Sequence, residues 1–360
     1  MIVTGLRGVG KTVLLGRFRH EALAQNWVVI EEEVSKRDDA NFRRSMALSM
    51  RTALFGLSPK ARWTDRFHRA AGVLKSFSVS VDPDGTLSVG LDADAQPGFG
   101  DAGDLSRDLT DLFVAVGEAA ASANRGVVLL VDEIQFLSAG QLEALIAALH
   151  KTVQRRVPVT LVGAGLPQIA KLAGDAKSYA ERLFKFPVIG NLTPEDARRA
   201  LLLPAREEGV DFAPAALDRA IEVTGGYPYF LQELGYAVWG VADGPTVSAT
   251  DVEQALPLYE SKLDSSFFRV RLDRTTEAQR VYLRAMAELG PEPQRAADVA
   301  DKLGRTSPQV APTRAELINM GLLYTPQHGY AAFTVPHFDK FMRRVMPELV
   351  RPAVRRRTGK

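Results

Sequence analysis

The segment Gly5-Leu6-Arg7-Gly8-Val9-Gly10-Lys11-Thr12 carries the spacing G-x-x-x-x-G-K-[ST]. In such a loop, consecutive backbone N–H groups turn into one concavity that fits nucleotide phosphates. The helix opening behind it adds the partial positive charge of its N-terminus. Lys11 is expected to reach the β and γ phosphates and the Thr12 hydroxyl to coordinate Mg²⁺. Gly5, Gly8 and Gly10 let the backbone close on the phosphates with no side chain in the way. The competing reading is a glycine-rich turn that only resembles the motif; Lys and Thr in register count against it. The nucleotide set is Gly5, Gly8, Val9, Gly10, Lys11, Thr12 and Val13, holding ATP or ADP.

A second group follows far along the chain. Val127-Val128-Leu129-Leu130-Val131-Asp132-Glu133 is an unbroken apolar run ending in two acids. A run without alternation predicts a strand covered on both faces, and ligands of such sheets sit at the carboxyl ends of strands. Asp132 is expected near the magnesium ion, making Thr12 and Asp132 the metal residues. Glu133 is expected to orient or deprotonate the attacking water, since phosphoryl transfer asks mainly for positioning and charge compensation. The plainer alternative for the acid pair is a helix cap after a strand. Arg182, in Ser178-Tyr179-Ala180-Glu181-Arg182-Leu183, is either an arginine finger donated to a neighbouring subunit or a surface partner of Glu181 or Asp196. Glu133, Lys11 and Arg182 are thus the catalytic candidates.

These residues need elements to hold them. Ile2 to Thr4 reads as the end of a strand, and Val13 to Phe18 as a helix with Leu14, Leu15 and Phe18 on one face. Trp27 to Ile30 predicts a second strand and Asn41 to Phe55 a helix. Phe77 to Val81 and Thr86 to Leu91 alternate around Asp82-Pro83-Asp84-Gly85 and predict a hairpin, followed by a loop to Asp104. Asp104 to Ala123 is an amphipathic helix, and Val157 to Gly163 a further strand. From Leu192 the pattern reads as wholly helical, with Thr193 capping and Pro194 at the first helical position. Helices Pro214 to Val223 and Tyr229 to Val241 flank Gly225-Gly226-Tyr227-Pro228.

Thr275 to Met346 predicts three helices and a hairpin, the layout of a winged helix. Pro312 inside its third helix predicts a kink or a late start. As a DNA reader it would use Arg305, Gln309 and Arg314, with Lys302 and His328 nearby, although Glu292 and Glu316 dilute the positive face. The other reading is a module that packs against the rest of the chain.

Composition adds limits rather than a partner. The 360 residues allow two or three compact domains, and 45 Lys+Arg against 43 Asp+Glu leave a net charge of only +2. With no cysteine there is no disulfide, cysteine zinc site or thiol nucleophile. No apolar stretch approaches a membrane span and none resembles a signal peptide, so the expectation is a cytoplasmic protein with no membrane partner. Arg343 to Lys360 carries six arginines and a lysine against Glu348 alone, a tail that contacts nucleic-acid phosphate or is merely solvated.

Taken in order, Gly5 to Thr12, Val128 to Glu133, Arg182, a helical lid and a winged helix resemble the AAA+ superfamily. They are most similar to its origin-recognition initiator branch and to STAND and archaeal-type ATPases. The resemblance implies an α/β fold, with a parallel-sheet P-loop NTPase core, a small helical lid and a C-terminal winged-helix domain. The expected bounds are 1–190 for the core with a hairpin insertion about 77–104, 191–257 for the lid, 258–350 for the winged helix and 351–360 for a basic tail. It further implies ATP held between core and lid, with Pro228 of Gly226-Tyr227-Pro228 packed near the nucleotide as in STAND proteins. Many AAA+ proteins place a polar sensor where Gly163-Ala164-Gly165 stands, and a sensor arginine on the lid. Their replacement here implies a slow ATPase switch. Its partners would be double-stranded DNA, or a protein in a STAND-type scaffold, and a homo-oligomer. Relatives usually carry a segment before the first strand that holds the adenine. The expectation is therefore a loosely held base, or a natural start upstream of Met1.

Overall fold

The computed structural model describes residues 1–35, 39–57, 64–79 and 93–350. It divides into two units, Met1–Gly5 with Lys11–Ile189, and Leu6–Gly10 with the chain from Gly190 onward.

The first unit runs β1 (Ile2–Thr4), α1 (Lys11–Ala24), β2 (Val28–Glu33), α2 (Asp39–Gly56), α3 (Asp65–Val79), α4 (Leu105–Ser122) and β3 (Val127–Asp132). A 3₁₀ turn (Ile134–Phe136), α5 (Ala139–Gln154), β4 (Val159–Gly165), α6 (Ile169–Ala176) and α7 (Ala180–Leu183) complete it. The strands form one parallel sheet in the order β1-β4-β3-β2. β3 is buried from Val127 to Val131, as an unbroken apolar run requires when both faces of a strand are covered. Because every strand points the same way, the carboxyl ends share one edge. Thr4 pairs with Gly165 there, and Glu33 with Asp132. Arg43 of α2 reaches the fully buried Asp108 of α4 at 2.9 Å, and the other Asp108 oxygen accepts from the N–H of Ala102 at 2.7 Å. A buried carboxylate needs both partners, and the pair fixes α2 against α4.

The hairpin expectation is corrected in part. Phe77 to Val79 is the end of α3, whose buried positions Phe67, Ala70, Ala71, Leu74 and Phe77 keep helical spacing. The remainder, residues 80–92, lies outside the described residues.

The second unit runs α8 (Pro194–Glu207), β5 (Asp211–Phe212), α9 (Pro214–Thr224), α10 (Pro228–Trp239), β6 (Thr246–Val247) and α11 (Ala249–Lys262). A π-helical turn (Leu263–Phe268) leads into α12 (Arg269–Leu272), α13 (Glu277–Leu289), β7 (Gln294–Arg295), α14 (Ala296–Lys302), α15 (Ser307–Asn319), β8 (Leu323–Tyr324), β9 (Tyr330–Phe333) and α16 (Phe338–Val345). The Thr193 side chain caps α8 by accepting from the N–H of Asp196 at 3.2 Å, with Pro194 at the first position. The unit is not wholly helical, since β5 and β6 pair in parallel. The boundary expected at 257/258 falls inside the continuous helix α11. α15 starts at Ser307 and runs through Pro312, so there is no late start. β7, β9 and β8 form a small antiparallel sheet. Phe230, Phe267, Phe268, Phe338 and Phe341 pack as one aromatic cluster, with centroids 5.1 to 6.3 Å apart. The π-helical turn seats two of them. Among the described residues, no helix is long and apolar enough to cross a membrane.

Candidate nucleotide site

The edge formed by the strand ends is where the loop begins. β1 stops at Thr4, and the Gly5 N–H donates to the Gly165 carbonyl at 3.1 Å, tying the loop's first residue to the end of β4. Lys11 is buried, and its Nζ donates to the Gly5 carbonyl at 3.1 Å. The ammonium is thus turned back along its own loop, where a phosphate oxygen could take the carbonyl's place. Gly8 and Gly10 have φ of 83° and 90°, a left-handed backbone that L side chains resist. Val9 is buried, whereas Val13, in the first turn of α1, is 78% exposed.

Thr12 and Asp132 meet although they are far apart in the chain. The Thr12 hydroxyl donates to Asp132 Oδ2 at 2.6 Å, and the Glu133 N–H donates to Asp132 Oδ1 at 2.8 Å. A hydroxyl and a carboxylate, both oxygen donors, suit Mg²⁺, which keeps several waters and takes its remaining oxygens from phosphates. Among the described residues no group of three or more His, Asp or Glu could hold a metal ion by itself. Thr12 and Asp132 fit such an ion.

Glu133 has φ of 53°, an uncommon left-handed backbone for a residue with a long side chain. Its carboxylate accepts a short hydrogen bond from the side-chain amide of Gln135. Gln135 is buried, and its Oε1 accepts from the N–H of Leu166 just past β4 at 3.0 Å. Sequence reasoning did not single out Gln135. The available signal was Gly165, where a Cβ would stand 2.7 Å from Gln135 Oε1.

Arg182 lies exposed on the short helix α7. Among the described residues it forms no ion pair with Glu181 or Asp196, and Asp196 is engaged by Arg199 and the Thr193 hydroxyl.

Leu6 to Gly10 belong with the second unit. There the Tyr229 N–H donates to the Gly8 carbonyl at 3.1 Å and the Arg7 N–H to the Thr334 carbonyl at 3.3 Å. Pro228 is half-buried at the first position of α10, beside the buried Tyr227. Burial raises the Tyr227 phenol, and burial with the Glu233 side chain pushes Tyr229 up to about 12. Burial and then the nearby Arg7 charge lower the pKa of Arg271, whose guanidinium lies 3.9 Å from the Phe267 ring centroid. Tyr229 and Arg271 were not legible as neighbours of this loop.

Three solved structures are similar over most of the chain. The RuvB Holliday junction branch migration motor of Thermotoga maritima matches with a TM-score of 0.47 and 15% identity, over 92% of this chain and 83% of that one. Cdc6p of Pyrobaculum aerophilum matches with 0.45 and 14%, over 96% and 87%. The ORC1 protein of Aeropyrum pernix, solved in complex with DNA, matches with 0.40 and 16%, over 95% and 86%. No curated protein matches this chain. A family model described as a domain of unknown function matches residues 265–342, and one described as an AAA ATPase domain matches residues 1–162. The phosphate loop and the acid pair both lie inside the second match, so residues 1–162 of this chain are similar to an AAA ATPase domain.

Proposed function

We propose that the chain is a nucleotide-dependent switch that binds ATP with Mg²⁺ at Gly5 to Val13, hydrolyses it slowly and passes its nucleotide state to a C-terminal winged helix. The observation that carries this reading is the contact between the Thr12 hydroxyl and Asp132, because a phosphate loop joined to the acid at the end of β3 supports metal-assisted phosphoryl transfer. In this reading Lys11 leaves the Gly5 carbonyl for the β and γ phosphates, and Thr12 with Asp132 would hold the ion. A bound Mg²⁺ would neutralise charge developing on the phosphate oxygens. Glu133 orients a water whose oxygen attacks the γ phosphorus as the bond to the leaving ADP oxygen breaks. The water's proton passes to Glu133 or to the phosphate. Pro228 sits near the nucleotide. Arg182, exposed on α7, serves as a finger only if a second copy brings it to ATP. Turnover per subunit would then rise with protein concentration, and a flat dependence removes it from the mechanism.

For the C-terminal unit the first reading is double-stranded DNA. It rests on the element order α13-β7-α14-α15-β8-β9 and on Lys302, Arg305 and His328. A specific observation favours the second reading, a protein partner. The exposed positions of α15 are Ser307, Pro308, Gln309, Ala311, Pro312, Ala315, Glu316 and Asn319, with no lysine or arginine among them.

Substituting Lys11→Ala tests the central claim by calorimetric titration with ATP and Mg²⁺. Binding should be abolished, because the buried ammonium has no replacement at the loop. ATP affinity retained in that variant would defeat the reading.

A further inference from the structure

We infer that Gln135 is a positioning residue for the hydrolytic step, holding the Glu133 carboxylate in the attitude from which it directs water. It also fills the space at the end of β4 where a polar side chain would otherwise stand. The inference rests on the hydrolysis reading given above.

Three observations carry it. First, the amide has one orientation. Its Oε1 accepts from the Leu166 N–H at 3.0 Å, so the opposite end, Nε2, must be the end that donates to Glu133. Second, Gln135 is 9% exposed and Leu166 is 1% exposed, so water competes little for the bond that anchors the amide. Third, Gly165 has no room for a side chain while Gln135 is seated, since a Cβ would stand 2.7 Å from Gln135 Oε1 and 3.0 Å from Ile134 Cγ2. A polar side chain at residue 165 and the Gln135 amide therefore exclude each other. The bare glycines at the end of β4 are the counterpart of a polar group delivered from the turn after β3.

The consequence concerns Glu133. Its backbone is set by φ of 53° and by the hydrogen bond from its own N–H to Asp132, which fixes where the side chain starts. A glutamate side chain still has several rotatable bonds, and the Gln135 amide fixes where it ends.

The test compares wild type, Glu133→Gln, Gln135→Leu and Gln135→Glu for steady-state ATP turnover. ATP affinity is measured by calorimetry and the melting temperature is recorded for each. Gln135→Leu should lower kcat by about 10- to 100-fold while ATP affinity stays within about threefold, the signature of a misplaced catalytic group rather than a damaged binding loop. Gln135→Glu keeps an acceptor for the Leu166 N–H, so it guards against a folding defect. It replaces the donor facing Glu133 by a second carboxylate, so the positioning contact is lost while the Leu166 N–H keeps its partner. Its kcat should fall as in Gln135→Leu, with ATP affinity and melting temperature near wild type. A packing role would not produce that split. Wild-type turnover in both variants overturns the inference while leaving the ATPase reading intact. Absence of turnover in wild type, or full activity in Glu133→Gln, overturns the hydrolysis reading and this inference with it.

Discussion

Gly8 is constrained twice, by its own backbone and by what lies beside it. Its φ of 83° is a region where an L side chain costs about 1–2 kcal/mol. A Cβ there would also stand 3.0 Å from Tyr229 Cβ and 3.2 Å from a Tyr227 ring carbon. The Tyr229 Cβ is anchored to a backbone whose N–H donates to the Gly8 carbonyl, so it cannot swing aside as a side-chain tip could. Gly8→Ala should therefore lose about 1–3 kcal/mol of stability and weaken ATP binding about tenfold or more, read by urea unfolding and calorimetry. Unchanged values for both would mean the loop readily adopts another conformation. The need for glycine here was legible in the sequence because the motif is local. The Thr12–Asp132 pair was legible because each half is marked by its own short pattern. Gln135, Tyr229 and Arg271 were not, since their roles depend on contacts with residues remote in the chain. Gln135 in isolation reads as one more polar residue in a turn.

At the level of elements, β3 and α4 could be read because each pattern is strong and uninterrupted, and the Asp104 cap of α4 is the residue expected to begin it. α3 could not, because Phe77-Ser78-Val79 alternates as a strand does while small residues at Ala70, Ala71 and Gly72 dilute the helical stripe. Packing decides such cases, and α4 offers a measurable instance. Gly117 sits mid-helix, where alanine would gain about 1 kcal/mol in helix propensity. A Cβ at that position would stand 2.6 Å from Val157 Cγ2, 2.9 Å from Val157 Cβ and 2.9 Å from Val159 Cγ2. These belong to stiff β-branched side chains, one of them in β4, so relief requires moving helix from sheet. Overpacking of this kind costs about 1–3 kcal/mol, which outweighs the propensity gain. Gly117→Ala should lower the unfolding midpoint in urea, whereas a rise would show that β4 yields easily at this contact.

For the molecule as a whole, the proposal that the C-terminal unit holds DNA can be tested quantitatively through its surface charge. Lys302 and His328 are exposed and Arg305 is half-buried. Elsewhere charges are spent internally: Gln279 of α13 donates to Glu316 of α15 at 2.8 Å, and Arg344 of α16 pairs with Asp264. The basic run expected from Arg343 onward is thus partly neutralised before residues 351–360, which lie outside the described residues. If Lys302 and Arg305 each neutralised one phosphate of duplex DNA, the affinity would fall with salt at a logarithmic slope of about −1.8. Between 50 and 200 mM salt that is a loss of about 12-fold, and cations beyond residue 350 would steepen it. Replacing Lys302 and Arg305 together by alanine should make the slope shallower by about 2 if DNA is the ligand. Fluorescence anisotropy with a labelled duplex across that salt range measures both slopes. No affinity at 50 mM salt, or a slope that the double substitution leaves unchanged, would remove DNA from this surface. The exposed face of α15, which carries no lysine or arginine, would then favour the reading of a protein partner.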